Sequence, residues 1–260
     1  MNTRRPTPPK RPTHPKSPIG QRLQRGFTLV EIAVVIALLG VLTAISLKAQ
    51  ELVEQYRQTQ FVTGVRVLQA NLNSYKTTYG RWPGDCNRDG LVDYVFLDAT
   101  LLLSDLYEYG IPSTLSAAAD ATTTYASGLL CPASTLTAYD PNNVPFNELK
   151  WGGQTPTGEP NRKAASHSMG GFAFLGTFNI NPTVDYSEDR FNAIVLTEVP
   201  IVAARRLAVA IDGSDGSAAN LNRVRRSDDL LTFEALWTAA DETELKRITV
   251  VVFFDRIPPT

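Results

Sequence analysis

Between residues 85 and 93 the chain reads Asp85-Cys86-Asn87-Arg88-Asp89-Gly90-Leu91-Val92-Asp93, a loop rich in oxygen ligands. Asp85, Asn87, Asp89 and Asp93 take the first, third, fifth and ninth places of a calcium-binding EF-hand loop, with Gly90 at the turn. Alternating oxygen donors suit Ca2+, because a tight loop can bring them onto one centre. The twelfth place should supply a bidentate glutamate but holds Phe96. The competing reading is an Asx-rich turn. Asp212-Gly213-Ser214-Asp215-Gly216 reads as a second acidic turn. Ser166-His167-Ser168-Met169-Gly170 imitates the nucleophile elbow of α/β-hydrolases, but Ser166 stands where a glycine is required. A catalytic triad also needs a separate histidine as base, and the other histidine, His14, lies in a basic tail. No enzyme activity is expected. Two cysteines, with one histidine beyond residue 26, exclude cysteine/histidine zinc modules.

The elements that must position these residues follow from composition. Hydrophobic residues make up 43% and charged residues 20%, which suits a folded chain. The net charge of -1 conceals an asymmetry. Residues 1–26 hold seven basic groups and no acidic one, whereas the remaining 18 basic groups face 26 acidic ones. An acidic body argues against a nucleic-acid partner, whose binding rests on neutralising phosphates. Six of the 17 prolines fall in residues 1–18, and none lies between Ile19 and Trp82. Proline breaks helix interiors, so that gap allows one very long helix. Its first part, Phe27–Leu47, carries a single charge, Glu31. Such a stretch is long enough to cross the ~30 Å hydrocarbon core of a membrane. The basic tail is expected to stay cytoplasmic, with the rest of the chain across the membrane.

Arg25-Gly26-Phe27-Thr28-Leu29-Val30-Glu31 resembles the processing site of type IV prepilins and of the pseudopilins of type II secretion. The resemblance implies that a prepilin peptidase cuts between Gly26 and Phe27 and that Phe27 becomes the N-methylated first residue. A carboxylate in the bilayer core costs about 2.5–3.5 kcal/mol, so Glu31 needs a partner. Cleavage would create an amine four residues before it, and Glu31 is expected to govern assembly by pairing with that amine. Unlike many pilins, this chain has no proline near the end of the apolar stretch, which reads Ser46-Leu47-Lys48.

Beyond residue 47 the helix is expected to continue to Tyr79 with an apolar stripe of Val65, Leu68, Leu72, Tyr75 and Tyr79, joined by Leu52, Tyr56 and Phe61. Gly80, Pro83 and Gly84 should end it. Tyr79-Gly80-Arg81-Trp82-Pro83-Gly84-Asp85 resembles the turn that follows the stem in several pilin-like proteins. Residues 85–169 read as an irregular connection with a short helix near Thr100–Tyr109. Strands are expected at Gly171–Ile180, Phe191–Glu198, Leu230–Ala239 and Leu245–Ile257, with a helix at Ile201–Ile211. The fold class is therefore α+β: a leader (1–26), a stem helix (27–79) and a pilin-like head (80–260) built on an antiparallel sheet. On the oxidising side of a membrane, Cys86 and Cys131 are expected to pair. Closing that loop contributes roughly 4 kcal/mol in the chain-entropy model. Arg205, Arg206, Arg223, Arg225 and Arg226 read as solvated charges and salt bridges rather than a basic patch.

The function expected is that of a structural subunit, minor or specialised, of a type IV pilus-like filament (a fimbrium). The alternatives are a pseudopilin of type II secretion, or a signal-anchored binding protein or enzyme that does not polymerise. The implied partners are the prepilin peptidase, other pilin or pseudopilin subunits and an inner-membrane assembly platform. The implied location is the inner membrane before assembly and a periplasmic or extracellular filament after it. No cofactor beyond the calcium reading is implied.

Overall fold

A computed structural model describes residues 28–93, 144–180, 189–213, 218–230 and 232–259. The leader, Phe27, Cys131 and the short helix expected at Thr100–Tyr109 lie outside them. The chain divides into two units, Met1–Gln50 and Glu51–Thr260. The proline-free stretch forms helix α1, Leu29–Tyr79, as its composition dictates. In the first unit every described residue of α1 is exposed, from Leu29 to Gln50. The helix is long and apolar enough to cross a membrane, and its apolar part is not buried among the described residues. An apolar surface without a protein partner is what a membrane span requires.

In the second unit the chain continues through helices α2 (Val144–Trp151) and α3 (Asn161–Ala165), then strands β1 (Ala173–Asn179) and β2 (Arg190–Pro200). Helix α4 (Ile201–Asp212) and strands β3 (Val224–Arg226) and β4 (Arg247–Phe253) complete it. All pairings are antiparallel, in the order β1-β2-β4-β3. The register sets Leu175 opposite Ile194, and Val195 opposite Val251. Helix α4 packs against β2, β3 and β4. Phe61, Val65, Leu72 and Tyr75 of α1 join Phe174, Leu196, Val251 and Phe253 in one hydrophobic core. Burying each such side chain stabilises the fold by about 1.5–3 kcal/mol.

Two glycines close helices in the left-handed region, Gly80 after α1 and Gly213 after α4. The Gly80 N–H donates to the Lys76 carbonyl at 2.8 Å, and that of Gly213 to Val209 at 3.0 Å. Gly171 has a different reason. A Cβ there would sit 1.9 Å from the Thr197 carbonyl oxygen, so the chain entering β1 approaches the backbone of β2 too closely for a side chain.

Three expectations need correction. The apolar stripe of α1 divides: Phe61 to Tyr75 reach the core, whereas Leu52 and Tyr56 stay 64% and 65% exposed. Among the described residues of Leu230–Ala239 no strand forms, and their ladder contact is an isolated bridge between Ala218 and Leu236. The fourth strand is instead Val224–Arg226, which runs beside β4 because Asp212 accepts hydrogen bonds from the backbone N–H groups of Arg223 and Val224, each at 3.1 Å. The connection 85–169 also contains α2 and α3.

Candidate functional site

Helix α1 begins with a reciprocal cap. The Glu31 carboxylate accepts hydrogen bonds from the Thr28 backbone N–H (2.8 Å) and hydroxyl (3.0 Å), through the same oxygen. In return the Glu31 N–H donates to Thr28 Oγ1 at 3.2 Å. This is a capping box, which satisfies donors that the first turn would otherwise leave unpaired. The carboxylate is thereby held on Thr28, the next residue along the chain from Phe27, whose amine cleavage would free. The Thr-x-x-Glu spacing could have revealed this cap from sequence alone.

The Asp85–Asp93 loop is occupied by its own backbone. Asp85 Oδ2 accepts from the Gly90 N–H (3.1 Å), Asp89 Oδ1 from the Leu91 N–H (2.8 Å) and Asp93 Oδ2 from the Cys86 N–H (2.8 Å). Asn87 Oδ1 accepts from the Asp89 N–H at 2.9 Å, and its Nδ2 donates to Asp89 Oδ2 at 2.9 Å. Among the described residues, no three His, Cys, Asp or Glu side chains converge as a metal site would need. Asn192 of β2 ties this loop to the sheet. Its Oδ1 accepts from the Val92 N–H and its Nδ2 donates to the Gly90 carbonyl, both at 2.8 Å. Burial pushes the Asp85 and Asp93 carboxyls above their ordinary range, against the hydrogen bonds from Gly90 and Cys86. No cysteine among the described residues is a free thiol.

An ion pair closes the base of this loop. Arg81 donates to both oxygens of Glu148, at 2.9 and 2.5 Å, and the Gly84 N–H adds a third bond at 2.6 Å. Glu148 on α2 is 1% exposed and Arg81 6%. Burial pushes the Glu148 carboxyl up, opposed by Arg81 and the Gly84 N–H. No sequence signal joins two residues so far apart in the chain.

The serines flanking His167 are engaged with carbonyls. Ser166 Oγ donates to Lys163 (2.7 Å) and Ser168 Oγ to Arg57 (2.8 Å). His167 Nε2 lies 2.9 Å from the Thr197 carbonyl, which fixes the tautomer with the proton on Nε2. Burial holds this histidine down at about 4, with Arg247 acting the same way against the Thr197 carbonyl. The imidazole is therefore neutral at neutral pH. The residue is one of those lining a cavity of about 490 Å3 beside α1.

The five arginines do not share one surface. Arg225 and Arg226 are each 3% exposed. Arg225 Nη2 donates to the Pro258 carbonyl at 2.6 Å, and Arg226 pairs with Asp228 and Glu242. Arg205 faces Glu244 at 3.2 Å.

Comparison with known families finds the prokaryotic N-terminal methylation motif at residues 21–47. That motif is the prepilin signature of type IV pilins and pseudopilins, and the chain carries it across the cleavage junction and the apolar span. The head lies outside the match. No curated protein and no solved structure matches the chain.

Proposed function

We propose, from the prepilin signature at residues 21–47, that this chain is a structural subunit of a type IV pilus-like filament, of minor or specialised type. The observation that carries the reading is the motif lying directly on a helix whose apolar side chains, from Leu29 to Leu47, stay exposed among the described residues. In a filament those side chains would pack against the stems of neighbouring subunits, and the head would decorate the surface. A pseudopilin of type II secretion uses the same junction, so it is the second reading. Removal of residues 1–26 would leave 234, long for a principal subunit, which favours the specialised role. The chain would sit in the inner membrane until an assembly platform extracts it into a periplasmic or extracellular filament. It carries no catalytic role in this scheme.

Gly26→Leu tests processing, because the peptidase must accommodate a residue without a side chain at the scissile bond. The precursor is expected to accumulate uncut in membranes. Intact-mass analysis of the unaltered protein should give a chain lacking residues 1–26 and heavier by one methyl group. An unprocessed wild-type chain would remove the prepilin reading and leave a signal-anchored protein.

In the head we assign Cys86 and Cys131 to one disulfide. Both should resist alkylation until a reductant is added, and free thiols in protein from outside the cell would exclude the bridge. The Asp85–Asp93 loop is a brace rather than a calcium cage in this reading, since its carboxylates already serve backbone N–H groups. EDTA should leave the melting temperature unchanged. A fall with chelator that disappears in Asp89→Ala would restore calcium.

A further inference from the structure

Lys150 and Asn161 have no part in cleavage or assembly as described above, yet they are enclosed together in the head. Lys150 lies in the last turn of α2 and is 3% exposed, and Asn161, the first residue of α3, is fully buried. Lysine is among the residue types least often enclosed. Its Nζ lies 2.5 Å from Asn161 Oδ1, closer than the ~2.7 Å at which ordinary N–H···O bonds begin. At the other end of the same amide, Asn161 Nδ2 donates to Asn147 Oδ1 at 2.7 Å. The carboxamide is thus held from both sides, with its oxygen towards the amine and its nitrogen towards Asn147.

An amine and a carboxamide placed this way are a nucleophile and an acyl group. A carbonyl bond is about 1.23 Å long, so Nζ stands no farther than about 3.7 Å from Cγ. Reacting atoms held about 3–3.5 Å apart gain effective molarities of roughly 10⁵–10⁸ M. Enclosure helps twice. Removal from water disfavours an ammonium relative to its neutral amine, and it keeps out the water that would compete for the carbonyl. The reaction exchanges one amide for another. Once its ammonium proton has gone to solvent, the amine turns its lone pair onto Cγ and forms the Nζ–Cγ bond. One amine proton passes to Nδ2, the Cγ–Nδ2 bond breaks, and ammonia departs. No oxidant, reductant or further reactant is consumed.

We propose that Lys150 and Asn161 are joined by an isopeptide bond that fastens α2 to α3. The test is a mass measurement on the full chain, purified in detergent micelles with its cysteines reduced. Apart from any change at the amino terminus, the protein should be lighter than its sequence by one molecule of ammonia. Chymotrypsin cuts after aromatic residues, and Trp151 separates the two partners. After digestion, the peptide that holds Lys150 should therefore remain attached to the one that begins at Gly152. Lys150→Arg keeps a cation and donors for Asn161 but no nucleophilic amine, so it should have the full mass and two separate peptides. Full mass in the wild-type protein would leave an ordinary hydrogen bond and overturn the proposal. A missing ammonia with separate peptides, or one that persists in Lys150→Arg, would place the loss at another residue and overturn it equally. None of these results bears on processing at Gly26, so the filament reading is tested separately.

Discussion

Glu31→Leu protein is expected to insert, to be cleaved and to reach wild-type levels in the membrane, while its entry into filaments falls at least about tenfold. Tenfold corresponds to about 1.4 kcal/mol. Leaving an amine unpaired among apolar stems costs more than that on any scale for charges in hydrocarbon. The capping box makes a sharper version of the experiment available. Leucine removes the charge and the two bonds that the carboxylate accepts from Thr28, keeping only the backbone N–H bond to Thr28 Oγ1, whereas Glu31→Gln keeps a side chain able to cap. If the charge governs assembly, both variants fail. Assembly by the glutamine variant would show that the cap, not the carboxylate, is what a subunit needs. Wild-type incorporation of the leucine variant would sink the assembly role altogether. The measurement is sheared filament, or filament-dependent secretion, relative to total membrane protein.

Glu148→Ala is expected to destabilise the head by about 3–5 kcal/mol, the usual cost of stranding one member of a buried ion pair. Arg81 would remain charged and enclosed, and the Gly84 N–H would lose its acceptor. At roughly 2–4 °C per kcal/mol for a domain of this size, thermal unfolding should shift by well over 5 °C. Replacing both partners, Arg81→Met with Glu148→Leu, should recover much of the loss, because no lone charge is left behind. A single variant that melts with the wild type would mean that water reaches this pair.

The sequence exposed the elements whose apolar patterns are long and regular. Helix α1, β1, β2, β4 and α4 all lie where periodicity or β-branched runs put them. Strand β3 was illegible for a physical reason. It is three residues long and two are arginines, a type that is seldom buried without partners. Arg225 and Arg226 are buried only because the Pro258 carbonyl, Asp228 and Glu242 satisfy them, and no spacing rule encodes such partners. Leu230–Ala239 has the composition of a strand but wraps around Arg226, with the Trp237 carbonyl accepting from its guanidinium at 2.7 Å. Helix α2 begins with Val144-Pro145 in a stretch of turn formers, which hid it. At the processing junction the motif was plain in the residues. The roles of Asn192, Glu148 and His167 depend on tertiary neighbours and could not be read there.

The place of β4 has a consequence for the order of events in making this protein. It lies between β2 and β3, yet among the described strands it comes last in the chain. Until residues 247–253 have emerged, β2 has an open edge and β3 has no neighbour to pair with. The four-strand sheet therefore cannot close on a growing chain before that segment has been made. Until then the apolar side chains of β1 and β2 are without their full core, and an unpaired strand edge is a template for other chains. The sheet completes only once that strand arrives, so its closure is timed by the latest of its strands in the chain rather than by the earliest.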